Sequence, residues 1–250
     1  MPPEVEQTCP TPSIGAGRRR TLKVGGVTPF TATDYPGTLA AAIFVQGCPW
    51  RCGYCHNPHL QERTHHSPIS WEDVLSFLKR RIGLIDAVVF SGGEPTMDPC
   101  LADAIGEVRS FGFKIGMHSG GTHPQRLKQV LPLLDWVGMD IKADFANYAR
   151  VTQVQNSGSP ALLSLQAVLA SGVDYECRTT AHSHLLPEPE LLQLARTLAG
   201  MRVKNYALQV FRPQGCNDAA LNSNMASTYP AAALLEQIKA LFPAFILRRS

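Results

Sequence analysis

Short apolar runs alternate with longer amphipathic stretches from about residue 39 onward. Residues 39–45, Leu-Ala-Ala-Ala-Ile-Phe-Val, are too few for a helix and are closed by a Gly-Cys-Pro turn, so they predict a buried strand. Residues 71–82 carry apolar positions at helical spacing, with Ser70 as cap and Glu72 and Asp73 in the first turn. The same pairing repeats. Strands are expected at 85–90, 113–117, 136–141, 173–180 and 206–211, and helices at 101–111, 124–131, 161–170, 189–198 and 231–241. Residues 21–29 are expected to form a short strand pair over the barrel entrance. Six consecutive strand–helix units imply a parallel sheet with right-handed crossovers. Six is two short of a closed eight-unit barrel, so the expected fold is α/β, an incomplete (β/α)6 barrel, with a flat doubly wound sheet as the alternative. In both, chemistry belongs at the carboxyl ends of the strands.

Composition narrows the class. A chain of 250 residues, 44% hydrophobic and 17% charged, has the balance of a soluble globular protein with one sizeable core. We expect a single domain over residues 21–250. Residues 1–20, rich in Pro and Thr and without periodicity, are expected to be disordered, with Arg18-Arg19-Arg20 a solvated charge run. A formal charge of +3 is too small to argue for nucleic acid or an anionic membrane, and neither is expected as a partner. No apolar run is long enough to span a bilayer, and the first twenty residues hold no hydrophobic stretch of the secretory type. The seven cysteines are odd in number: three are clustered, while Cys9, Cys100, Cys177 and Cys216 are scattered. That is no disulfide framework, and a reduced, cytoplasmic setting is expected.

The candidate chemistry falls at the predicted strand ends. Cys48, Cys52 and Cys55 lie directly after the first strand, spaced C-x3-C-x2-C. Thiolate is the ligand that zinc, copper(I) and iron–sulfur clusters select. A zinc site would need His56 or His59 to complete it. An iron–sulfur cluster, which takes four thiolates, would keep one iron without a protein ligand. Gly92-Gly93-Glu94 follows the second strand, where glycines let backbone approach a ligand and Glu94 can accept from an ammonium. Asp140 and Lys142, at the end of the fourth strand, alternate onto one side and could bind a zwitterion or a ribose. Arg178, inside the fifth strand, needs a carboxylate partner. Asp34, in the turn Asp34-Tyr35-Pro36-Gly37, either closes its own Asx-turn or accepts from the backbone of an incoming peptide loop.

Cys48, Cys52, Tyr54 and Cys55 resemble the motif C-x3-C-x-aromatic-C of the radical S-adenosylmethionine (radical SAM) superfamily. Thr33 to Gly37, Cys48 to Asn57, Phe90 to Pro95, Met139 to Ala143, Tyr175 to Thr180 and Phe211 to Pro213 occur in an order that resembles the glycyl-radical-enzyme activase group, and within it the activating enzymes of anaerobic ribonucleoside-triphosphate reductase. The resemblance implies a partial barrel carrying a [4Fe–4S] cluster on the three cysteines, with SAM chelating the open iron. It further implies that Gly92, Gly93 and Glu94 hold the SAM amino group and that Tyr54, Asp140, Lys142 and Arg178 line the SAM site. One electron then cleaves the sulfonium, and the 5′-deoxyadenosyl radical takes a Cα hydrogen from a glycine of a partner protein. The implied partners are a glycyl radical enzyme and a flavodoxin- or ferredoxin-type electron donor.

The chain departs from that group after the third strand, where relatives resemble Asp-Thr-Asn-Gly and this sequence has His118-Ser119-Gly120-Gly121. A protonated His118, with Ser119 beside it, is expected to pair with the SAM carboxylate directly. Two other readings stand beside this one. The first is a radical SAM enzyme acting on a small molecule, such as a deazapurine synthase. The second is an electron carrier with Cys100 as fourth cluster ligand.

Overall fold

Six of the apolar runs become neighbouring parallel strands in chain order. In the computed structural model, which describes residues 20–224 and 228–249, these are β2 (Ala40–Val45), β3 (Ala87–Gly92), β4 (Lys114–Ser119), β5 (Trp136–Asp140), β6 (Asp174–Ala181) and β7 (Asn205–Val210). Two further strands flank them. β1 (Val24–Thr31) pairs antiparallel with β2, so the expected strand pair at 21–29 is one strand whose partner is β2 itself. β8 (Ala244–Arg248) adds a seventh parallel strand against β7, where no strand was expected. The order runs linearly from β1 to β8, which leaves those two strands as edges and the barrel unclosed, as the six-unit count requires. The disorder expected for residues 1–20 falls, but for Arg20, outside the described residues, as does Cys9.

The crossovers are α1 (Trp71–Lys79), α2 (Leu101–Arg109), α3 (Pro124–Val130), the short α4 (Tyr148–Thr152) with α5 (Gly158–Ser171), α6 (Glu188–Gly200), and the short α7 (Ala219–Ser223) with α8 (Ala232–Lys239). Ser70 caps α1 by accepting from the Asp73 amide at 3.1 Å. Among the described residues no helix is long and apolar enough to cross a membrane.

Alternation along the strands separates two cores. Ile43, Val45, Val88, Phe90, Val137 and Met139 pack against the helices in the main core. The intervening positions Ala40, Ala87, Val89 and Trp136 form a second cluster with Tyr35. Tyr35 stacks on Trp136 at 5.3 Å between ring centroids. The turn between β1 and β2 therefore fills the interior face near the amino ends of the strands, and the carboxyl ends are left for the site.

One backbone contact sets the geometry there. The Gly93 amide donates to the Val45 carbonyl at 2.9 Å, and the Glu94 amide to the Gly47 carbonyl at 2.8 Å. Gly92 takes φ +114°, and a Cβ on Gly93 would stand 2.3 Å from the Gly47 oxygen. The two glycines thus admit the chain's own cysteine loop, a tighter requirement than the approach of a ligand expected from the sequence.

Replacing Gly93 by Ala is expected to lower stability by about 1–3 kcal/mol or more, the cost of forcing an atom into packed structure. Gly106→Ala, inside α2 with nothing within 4 Å of the added Cβ, is expected to raise it by about 0.5–1 kcal/mol. Urea midpoints of the two variants check both signs.

Candidate active site

The carboxyl ends of β2 to β6 open into one cavity. Its wall includes Cys48, Cys52, Cys55 and Tyr54 from the loop after β2, Gly92 at the end of β3 with Gly93 and Glu94 after it, and His118 and Ser119 of β4. Asp140, Lys142 and Arg178 close the far side. The space it encloses amounts to about 170 Å³, and the cavity opens to solvent on one side. Of the residues expected from the sequence to hold the cluster, SAM or a peptide loop, all but Asp34 meet here.

The cysteine loop is held by its own backbone. The Gly47 and Cys48 amides donate to the Leu60 and Gln61 carbonyls at 2.8 and 3.0 Å, and the Arg51 amide donates to the Thr152 carbonyl at 2.9 Å. Arg51 also donates from Nη1 to the Cys48 carbonyl at 2.6 Å. Burial, and then the nearby Glu94, push the Cys48 thiol up to about 12. Burial likewise raises Cys52, although Lys142 opposes it. Such thiols surrender their protons to a metal. Among the described residues no three His, Cys, Asp or Glu side chains gather round a single point. A cubane cluster does not ask for that, since each thiolate binds its own iron. His56, the candidate fourth zinc ligand, has its Nε2 3.0 Å from the Arg212 carbonyl; an oxygen that can only accept makes Nε2 the donor. Cys100 is buried at the cap of α2 and does not line the cavity.

Glu94 is almost fully buried. Its Oε1 accepts from the Thr96 amide, the Thr96 hydroxyl and the Ser119 hydroxyl at 3.2, 2.6 and 2.8 Å, while Oε2 accepts from the Gly120 amide at 2.9 Å. Burial raises its pKa against these donors, all of them neutral. Oε2 keeps acceptor capacity for a cationic group in the cavity.

The opposite wall carries a charge chain. Arg178 donates from Nε to Asp140 Oδ1 at 2.9 Å, with Nη2 at 2.8 Å, and Lys142 Nζ lies 3.9 Å from Asp140 Oδ2. The carboxylate that Arg178 requires is therefore Asp140 of this chain, which sits opposite it in the β5–β6 register. Burial alone would raise the Asp140 pKa, but Arg178 and Lys142 hold it below the usual carboxylate value. Lys142 also stands over the rings of Tyr54 at 5.5 Å and Trp50 at 6.0 Å.

Two expectations change. His118 and Ser119 are the last residues of β4, where a loop was expected. His118 is no cation: burial, and then Arg178, lower its pKa to about 4. Its Nε2 lies 2.7 Å from the Asp34 carbonyl and its Nδ1 3.2 Å from the Ser91 hydroxyl, so both nitrogens are occupied within the chain. Asp34 itself stands behind His118 rather than on the cavity wall, with its carboxylate accepting from Thr31 Oγ1 at 2.7 Å. Sequence reasoning passed over Trp50, Ser91, Gly120, Ile141 and Thr180, which also line the cavity. Ser91 was within reach, because it shares strand parity with Ala87 and Val89.

Residues 42–198 match the Radical SAM superfamily. A protein of Methanocaldococcus jannaschii, named as a glycyl-radical enzyme activating enzyme, is 28% identical over 205 residues, covering 78% of this chain and 82% of its own. The pyruvate formate-lyase-activating enzyme of Clostridium pasteurianum is 32% identical over 114 residues; that match spans 44% of this chain and about half, 48%, of the relative. Among solved structures, QueE from Escherichia coli superposes with a TM-score of 0.52 at 16% identity, covering 92% of this chain and 94% of that one. That likeness shows the shared fold.

Two measurements probe the charges. Asp140→Asn strips Arg178 of its partner; because the carboxylate is 35% exposed, the expected loss is about 1–3 kcal/mol, less than for a fully buried pair. His118 titrates near 6.5 in the unfolded chain and at about 4 when folded, so the unfolded state binds more protons between those values. Stability is expected to fall as pH drops through that window, and His118→Gln to flatten the fall in urea titrations.

Proposed function

We propose, from the premise that this chain belongs to the radical SAM superfamily, that it is an activase generating a glycyl radical on a partner enzyme, and that the partner is anaerobic ribonucleotide reductase. The observation that carries the reading is the gathering of three cysteines, a nearly buried Glu94 and the Asp140–Lys142–Arg178 chain around one cavity at the strand ends. The superfamily's cofactors are a [4Fe–4S] cluster and SAM. When bound, they supply a 5′-deoxyadenosyl radical that takes the Cα hydrogen of a glycine.

The residues present suit those groups. Cys48, Cys52 and Cys55 would hold three irons of the cluster and leave the fourth for the amino and carboxylate groups of SAM. Glu94 Oε2, with neutral donors on its other sites, would accept from an N–H of the SAM amino group. Lys142, kept cationic beside Asp140, and the outer edge of the Arg178 guanidinium face the carboxylate end. The Tyr54 and Trp50 rings stand against the Lys142 ammonium. A peptide loop reaches the cavity through the side left unclosed between β1 and β8, and a glycine carries no side chain to obstruct it. A flavodoxin- or ferredoxin-type protein supplies the electron. The likeness to a named activating enzyme over four-fifths of that relative supports a protein substrate.

Anaerobic protein given SAM, a reductant and a peptide with deuterium at a glycine Cα is expected to place deuterium in 5′-deoxyadenosine. Cys48→Ala, Cys52→Ala or Cys55→Ala should each abolish the cluster absorbance and SAM cleavage, while Cys100→Ala leaves both. Turnover of a small purine-like molecule without transfer from any glycine would replace this reading, and loss of the cluster in Cys100→Ala would point to a carrier.

A further inference from the structure

A chain of hydrogen bonds runs from the β1–β2 turn into the cavity and fixes the direction of its own last member. The Asp34 carbonyl oxygen can only accept, so its 2.7 Å contact with His118 places the ring proton on Nε2. A neutral imidazole protonated there can only accept at Nδ1. The Ser91 hydroxyl, 3.2 Å from Nδ1, must donate to it. With its single proton committed, Ser91 Oγ turns only lone pairs toward the cavity it lines.

The chain has little freedom to reverse. His118 is edge-on to Trp136 at 5.7 Å, and Trp136 stacks on Tyr35. Asp34 is tied to Thr31, and its Oδ1 lies 3.9 Å from His118 Nδ1, beyond hydrogen-bond reach. Burial keeps the ring neutral at ordinary pH.

We propose that Ser91 is a specificity-determining residue that accepts a hydrogen bond from a ribose hydroxyl of the bound molecule, and that His118 is the positioning residue that fixes this polarity. The inference rests on the reading of the cavity as a SAM site. Within that reading the methionine amino group goes to the carboxylate of Glu94. The neutral donors that remain are the ribose hydroxyls and the adenine amino group; Ser91 lies only three residues before Glu94 on the same wall, and the ribose stands between the methionine and the adenine, so the ribose hydroxyls are the donors within its reach.

The test is equilibrium dialysis of SAM and its 2′-deoxy and 3′-deoxy analogues against cluster-loaded protein, without reductant. Ser91→Ala is expected to weaken SAM roughly two- to tenfold, the worth of one neutral hydrogen bond. One of the two deoxy analogues should bind the variant and the parent equally. Nitrogen-15 NMR of the labelled parent protein supplies a readout that needs no variant to fold: Nε2 of His118 carries the proton and Nδ1 does not. Unchanged affinity of Ser91→Ala for all three ligands, or a proton on Nδ1, overturns the inference while SAM binding by the parent stands. If the parent binds no SAM, the reading of the cavity falls with it.

Discussion

The site depends on how closely two backbone segments approach. The turn after β3 is tied by its Gly93 amide to the end of β2 and by its Glu94 amide to the loop that carries the cysteines, at a spacing that admits no Cβ on Gly93. That contact brings two chemically different groups to one place. The thiols come with the loop, and the Glu94 carboxylate comes with the turn. Loops without such pairing are mobile, and an unpaired loop would scatter the three sulfurs that the proposed cluster requires to converge. The parallel strands beneath supply the rigidity, with β2 and β3 in register from Ala40 and Ala87 to Val45 and Gly92.

Charge is distributed across the cavity in a way that suits a zwitterion with a cationic and an anionic end. Glu94 offers negative charge cradled by neutral donors, whereas the facing wall holds two cations and one carboxylate. The carboxylate of Asp140 is shared between Arg178 and Lys142, so this wall stays net positive even with its internal pair formed. An anionic group entering there meets cations already held by packing and by the Trp50 and Tyr54 rings, and their ordering cost is met during folding.

Much of this was legible in the residues. Buried parallel strands must be apolar on both faces, which is why the runs at β2 to β7 could be recognised one by one. β8 could not, since Ala-Phe-Ile-Leu-Arg is as short as a helix end and follows α8 closely. His118 and Ser119 read as a loop because polar residues end a run, yet on β4 they face the cavity. The chemistry of Cys48, Cys52, Cys55, Glu94, Asp140 and Lys142 was visible in spacing and residue type. The partner of Arg178 was not, because Asp140 is 38 positions away and meets it only through strand register. The protonation state of His118 was equally hidden, being set by burial and by a carbonyl from another segment.

The most direct measurement is a crystal structure of the protein grown without oxygen in the presence of SAM. The account predicts three irons bound by Cys48, Cys52 and Cys55, with the SAM nitrogen within hydrogen-bond distance of Glu94 Oε2, about 2.7–3.2 Å. A single tetrahedral metal ion on those cysteines, or SAM bound away from Glu94, would contradict it.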